Sequence, residues 1–180
     1  LLDDEGKSKL DTLVRLSQRM ELLINNILSY ARFGRSEINL ESVDLNILLL
    51  EVLDDLKLIR DEYGTDIRVP YPLPEIICDK AWVKKVFYNL IVNAVKYNNK
   101  EEKWVEVGCV SNSVSERSIP SMRHTNKNNG VLPIFYVQDN GIGIPEKHHD
   151  SLFRIFKRLH GKNKFGDGAG AGTTIAKKVI

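Results

Sequence analysis

The sequence predicts an α/β protein led by one long helix. Three observations carry that reading: a seven-residue apolar rhythm from Leu10 to Ala31, short strand-like runs bounded by glycine and proline, and two further amphipathic helices set between those runs. At 180 residues the chain has room for one domain plus an appendage, with a real core. Its 42% hydrophobic and 28% charged residues are ordinary for a globular protein. A formal net charge of +2 argues against a dedicated nucleic-acid or membrane-surface binder. Cys78 and Cys109 both fall in strand-like stretches and fit a reducing compartment better than a disulfide scaffold. No apolar run reaches bilayer length and no signal peptide opens the chain, so a cytoplasmic location without direct membrane contact is expected.

Leu10, Leu13, Ser17, Met20, Ile24, Ile27 and Ala31 alternate spacings of three and four. Leu16, Leu23 and Tyr30 run beside them, and Val14 and Leu28 widen the stripe on its other side. That width suits a helix of a four-helix bundle, whose partners must come from other sequence or a second chain; an amphipathic helix lying on its own domain is the alternative. Gly34 is the expected stop. Residues 38 to 43 read as an extended link. Asp44 then caps a helix from Leu45 to about Glu62, with Leu49, Val52, Leu53, Leu56 and Ile59 on its apolar face and Gly64 ending it.

A strand at Asp66–Pro70 and a loop punctuated by Pro70, Pro72 and Pro74 lead to a second strand, Glu75–Cys78. Asp79 caps the next helix, Lys80 to about Tyr97, whose core stripe is Val83, Val86, Phe87, Leu90, Ile91 and Ala94. At 100° per residue, Asn89, Asn93, Lys96 and Tyr97 form a second stripe beside that core. Asparagine is a mediocre helix former, so the pair is either solvated or a set of ligands facing a cleft. Trp104–Val110 and Val131–Gln138 read as paired strands, separated by a polar loop over 111–130.

The run Asp139-Asn140-Gly141-Ile142-Gly143-Ile144-Pro145 follows that last strand. Two glycines after an acid make either a plain turn or a place where backbone approaches a ligand while the carboxylate accepts a hydrogen bond. A polar turn, a short helix from Ser151 to His160 and a polar stretch follow. Gly168-Ala169-Gly170-Ala171-Gly172-Thr173-Thr174 then opens a last helix at Ile175. A glycine-rich helix start cradles phosphate through exposed N–H groups and the helix dipole, but this one lacks the lysine of a P-loop and the leading strand of a dinucleotide fold. Of the 4 histidines, His148 and His149 are adjacent without further ligands and read as a solvated turn, not a metal site.

Taken in order, these segments resemble the N, G1, F and G2 boxes of sensor histidine kinases, members of the wider ATPase group that includes gyrase and mismatch-repair ATPases. Asn89-Leu-Ile-Val-Asn93-Ala94-Val95-Lys96-Tyr97 resembles the N box, Asp139 to Pro145 the G1 box, Leu152-Phe153-Arg154-Ile155-Phe156 the F box, and Gly168 to Gly172 the G2 box. Arg158-Leu159-His160-Gly161 and the G2 region are most similar to phytochrome-like cyanobacterial sensors. The resemblance implies a two-layer α/β sandwich, a mixed sheet covered by helices on one face, over 37–180. Residues 1–36 would be the second helix of a dimerisation and phosphotransfer bundle.

The cofactors implied are ATP and Mg²⁺. Asp139 would accept the adenine amino group while Gly141 and Gly143 let backbone approach the purine. Asn93 would ligate the metal, and Asn89 and Lys96 would act at the phosphates with Arg158 from the lid. Tyr97 would line the pocket, and Gly168, Gly170 and Gly172 would fold over the triphosphate. The expected reaction transfers the γ-phosphate to a histidine upstream of Leu1, for relay to the receiver domain of a response regulator, in a homodimer joined through the first helix. As written, the chain is expected to lack that histidine and the C-terminal end of the domain, so it binds ATP without phosphorylating itself on the usual site. Ala169 and Thr173 depart from the G2 pattern, where threonine and leucine are usual. They keep two alternatives open: a degenerate kinase serving as a scaffold, and a non-kinase ATPase of the same fold.

Overall fold

The computed structural model of the chain describes residues 3–33, 38–110 and 133–151. The heptad segment is helical as expected: α1 runs Asp4–Phe33, 30 residues. Asp3 Oδ1 accepts from Gly6 N at 2.8 Å, and Asp4 and Glu5 complement the positive end of the helix. Several residues of its apolar stripe are solvent-exposed, Leu13 by 61%, with Met20, Ile24 and Ile27 alongside. No described helix is long and apolar enough to cross a membrane. The chain divides into two units, one of them Leu40–Gly143; α1 and a 3-10 helix at Glu146–Ser151 belong to the other.

Within Leu40–Gly143, the segment expected as a plain link contains strand β1, Glu41–Asp44. It pairs antiparallel with β3, Glu75–Cys78, placing Val43 opposite Ile76. The extended backbone was legible; the pairing depends on a segment beyond the next two helices. Asp44 caps α2, Leu45–Asp55, accepting from Asn46 N at 2.8 Å. Bonds from the Asn46 side chain and backbone hold the Asp44 carboxyl below its ordinary value. The single helix expected over 45–62 is instead two, since α3 runs Lys57–Tyr63. The break is at Leu56, φ −95° and ψ 0°, whose N–H still reaches Val52 O at 3.1 Å. Leu56 stays in the core there while Leu58 stands exposed. Gly64 ends α3 in the left-handed conformation, φ 60°, as its residue type predicts.

The proline-rich loop is fixed by a side chain. Asn46 Nδ2 donates to Leu73 O at 2.8 Å, and Leu73 N donates to Asn46 Oδ1 at 2.7 Å. The amide thus pairs with Leu73 as a strand neighbour would, and Leu73 is buried. Helix α4, Lys80–Lys96, starts at the Asp79 cap, which accepts from Trp82 N at 3.2 Å. It packs beside α2 through an ion network: Lys80 lies 2.7 Å from Glu51, and Lys84 lies 3.0 Å from Asp55 and 3.4 Å from Glu51. The bond from Lys80 lowers the Glu51 carboxyl, and the bond to Asp55 raises the Lys84 ammonium.

Strands β2 (Thr65–Arg68), β4 (Lys103–Val110) and β5 (Ile134–Asp139) form one sheet in the order β2-β4-β5. β2 runs parallel to β4 and β5 antiparallel to it, so the sheet is mixed, as expected. A parallel pair needs a long crossover, and β3 with α4 supplies it. Val105 and Val107 of β4, Leu45, Leu48 and Val52 of α2, and Ile91 of α4 have no exposed surface and join one core between sheet and helices. Each such side chain contributes about 1.5–3 kcal/mol by leaving water. The result is the two-layer α/β sandwich. On the opposite face, Tyr136 sits across from Gly108, its ring filling the space a Cβ there would need. Its hydroxyl donates to Glu106 Oε1 at 2.8 Å. Burial first, and the Glu106 carboxylate second, push the phenol up to about 12. Burial likewise raises the thiols of Cys78 and Cys109, both free.

Candidate functional site

Asp139 is the last residue of β5 and lies directly opposite Val105. Opposed residues of an antiparallel pair share a face, so Asp139 emerges on the side of the sheet that the helices cover. Its side chain is exposed, and Oδ1 accepts from Gly141 N at 2.8 Å. That bond shapes a tight turn and commits one carboxylate oxygen, leaving the other as an acceptor.

The two glycines serve different ends. A Cβ on Gly141 would lie 2.5 Å from Tyr97 O and 2.7 Å from Asp139 Oδ1, so the close approach of two backbones excludes any side chain. Gly143 has open space around it but takes φ 66°, which costs a residue with a Cβ. Ile142 N then donates to Tyr97 O at 3.1 Å. The turn after β5 is therefore bonded directly to the end of α4.

Tyr97 is the residue where α4 stops, φ −93° and ψ 38°, its N–H on Asn93 O at 2.9 Å. Asn89, Asn93, Lys96 and Tyr97 are all half-buried. Asn89 Nδ2 is a buried donor with no partner among the described residues, an uncommitted polar group of the kind a ligand oxygen would satisfy. Asn93 offers a neutral side-chain oxygen one turn before Tyr97, a donor type that suits a hard divalent cation. Of the residues singled out from sequence, the structure brings Tyr97 against Gly141 and ties Gly141 to Asp139. Asn89, Asn93 and Lys96 lie further back along the same helix. Arg158, Gly168, Gly170 and Gly172 lie outside the described residues. His149 Nε2 is 3.1 Å from Ile144 O, a bond within its own turn.

Two residues escaped the sequence reading. Asn140 Oδ1 accepts from Asn98 Nδ2 at 2.8 Å and from Trp104 N at 3.0 Å, while Asn140 Nδ2 donates to Glu102 O at 2.8 Å. Asn98 in turn accepts from Lys100 N at 3.0 Å and is only 4% exposed. Together they fasten the turn to the connection between α4 and β4. The available signal was adjacency, each being the neighbour of a motif residue, Tyr97 or Asp139. Neither belongs to an apolar period.

Residues 78–180 match the family described as histidine kinase-, DNA gyrase B-, and HSP90-like ATPase, more than half of the chain. Over 180 residues the chain is 45% identical to cyanobacterial phytochrome B of Nostoc sp., covering all of this chain and 22% of that protein. It is 30% identical over 179 residues to the phytochrome-like protein Cph1 of Synechocystis sp., covering 99% of this chain and 21% of that one. The chain thus spans about a fifth of the length of these relatives. Among solved structures it is similar to full-length ShkA in complex with AMPPNP, with a TM-score of 0.65 and 28% identity over 99% of this chain and 34% of that one. The sheet order, the helix ending against the acid–glycine turn and the match over 78–180 lead to one placement: this chain belongs to the family of histidine kinase-, DNA gyrase B- and HSP90-like ATPases.

Proposed function

We propose that the chain is the ATP-binding catalytic part of a sensor histidine kinase of the phytochrome-like type, transferring the γ-phosphoryl group of ATP to a protein histidine. The observation that carries this reading is the bond between Ile142 N and Tyr97 O, which sets the Asp139 turn against the helix bearing Asn89 and Asn93. The likeness to two phytochrome proteins over nearly the whole chain favours the kinase branch of the family.

In this reading, Asp139 accepts the 6-amino group of adenine, and Gly141 and Gly143 let the turn lie close to the purine. Tyr97 lines the pocket where α4 meets the turn. Asn93 holds the divalent cation through its side-chain oxygen, and Asn89, with its uncommitted Nδ2, donates to a phosphate oxygen. Lys96 and Arg158 bring positive charge to the phosphates, and Gly168, Gly170 and Gly172 form the cover over them. Bound Mg²⁺ supplies charge neutralisation across the phosphate oxygens. Phosphoryl transfer then needs positioning more than acid–base chemistry: an imidazole nitrogen attacks the γ-phosphorus, the bond to the bridging oxygen breaks, and ADP leaves.

Residues 1–36 act as a bundle helix and 37–180 as the catalytic domain. The exposed stripe of α1, with Leu13, Met20 and Ile24, suits a homodimeric helical bundle. The phosphohistidine then serves a response-regulator receiver domain, and the work is cytoplasmic. The test mixes the 180-residue chain with Mg-ATP and a separately supplied bundle domain that carries a phosphoacceptor histidine. Acid-labile phosphate appearing on that domain supports the reading. ATP hydrolysis without transfer favours a non-kinase ATPase, and absence of nucleotide binding favours a scaffold.

A further inference from the structure

The pair Asn98 and Asn140 makes no contact assigned to nucleotide, yet the three side-chain hydrogen bonds of Asn140 among the described residues tie the turn that carries Asp139 to residues 98–104. Its oxygen takes two donors, Asn98 Nδ2 at 2.8 Å and Trp104 N at 3.0 Å, and its amide donates to Glu102 O at 2.8 Å. On the other side of Asp139, Gly141 N holds Oδ1 at 2.8 Å and Ile142 N holds Tyr97 O at 3.1 Å. The carboxylate is exposed, so no surrounding packing fixes its direction. Its orientation is set by the backbone on either side, which these bonds fasten to the end of α4 and the start of β4.

We infer that Asn140, braced by Asn98, is a positioning residue that aims the Asp139 carboxylate at the amino group of the base and so sets the selectivity for adenine. The inference rests on the nucleotide reading of Asp139 given above. An exposed carboxylate on an unbraced turn samples several directions and discriminates poorly. One held from both sides presents a fixed acceptor, and a group pre-organised by neighbouring hydrogen bonds binds without losing that freedom again.

The experiment compares the affinity of the 180-residue chain for Mg-ATP with its affinity for the magnesium complex of purine riboside triphosphate, which lacks the 6-amino group. A hydrogen bond to a charged acceptor makes the parent ratio about tenfold or more. Asn140→Ala lowers that ratio to about threefold or less. It does so while binding of the amino-free nucleotide stays within about twofold of the parent, a split that a general loss of folding would not give. Asn98→Ala, which leaves the Trp104 and Glu102 bonds in place, shifts the ratio the same way by less, and serves if Asn140→Ala does not fold. Asn140→Asp keeps the acceptor for Asn98 and Trp104 and recovers part of the ratio. If the folded variants keep the parent ratio, or lose both nucleotides in proportion, the positioning role is overturned. If the parent itself shows no preference for the amino group, the base contact of Asp139 fails, and the inference fails with it for a separately visible reason.

Discussion

Asn98 Nδ2 donates to Asn140 Oδ1 across 2.8 Å, joining the second residue beyond α4 to the first residue beyond β5. The two are 42 positions apart in sequence. This bond, with the one from Ile142 N to Tyr97 O, makes one joint of the helix that bears Asn89 and Asn93 and the turn that bears Asp139. Base recognition and metal binding, as proposed, are thereby held in fixed relation by the chain's own hydrogen bonds.

Gly141 and Gly143 should fail differently. In Gly141→Ala the new methyl meets Tyr97 O at 2.5 Å, a backbone atom that moves only with the helix end. The expected loss is about 1–3 kcal/mol of stability together with nucleotide binding. Gly143→Ala meets no atom and costs only the left-handed backbone, about 1–2 kcal/mol, and Gly143→Asn recovers part of it. Urea unfolding of the three variants separates steric from conformational cost.

The Asn46 brace predicts an effect away from the site. Asn46→Ala leaves Leu73 N and Leu73 O without the partners that now lie at 2.7 and 2.8 Å, and it weakens the start of α2. Stability should fall by about 2 kcal/mol or more, with nucleotide affinity of the folded fraction unchanged. Asn46→Asp restores the acceptor for Leu73 N alone and should lie between the two.

Tyr136 gives a pH dependence with a definite sign. Its phenol is raised from 10.0 to about 12, so the folded state keeps the proton after the unfolded chain has released it. The associated stability is fully present below about pH 10 and is lost as pH rises toward about 12. Tyr136→Phe should be less stable below that window by about 0.5–1.5 kcal/mol, and its stability should fall less steeply across the window. Ultraviolet titration should show the high phenol step in the parent and not in the variant.

Much of the fold was legible because its signals are local. Asp44 and Asp79 cap the helices they were expected to cap, through bonds spanning two or three residues, and Gly64 takes the left-handed turn that ends α3. The apolar period of α4 marked Val86, Phe87, Ile91 and Ala94 as its buried side. What the sequence hid is non-local. Residues 38–43 looked extended, but nothing in four residues tells that Glu41–Asp44 pairs with Glu75–Cys78. The break at Leu56 falls within an unbroken apolar period, so no local signal marks it. At the candidate site, Asp139 and the asparagines of α4 stand out in the sequence because acid–glycine and helical-stripe patterns are themselves local. Asn46, Asn98 and Asn140 were not, since an amide side chain that bridges distant backbone leaves no periodic trace.

The central claim is that the Asp139 turn, set against the end of α4, binds adenine nucleotide. Its most direct test is calorimetric titration of the 180-residue chain and of Asp139→Asn with Mg-ATP. The parent should bind, and Asp139→Asn, which keeps one oxygen but loses the charge and the second acceptor, should bind at least about tenfold more weakly with its unfolding temperature little changed. A parent that takes up no Mg-ATP, or an Asp139→Asn that binds as the parent does, would contradict the account.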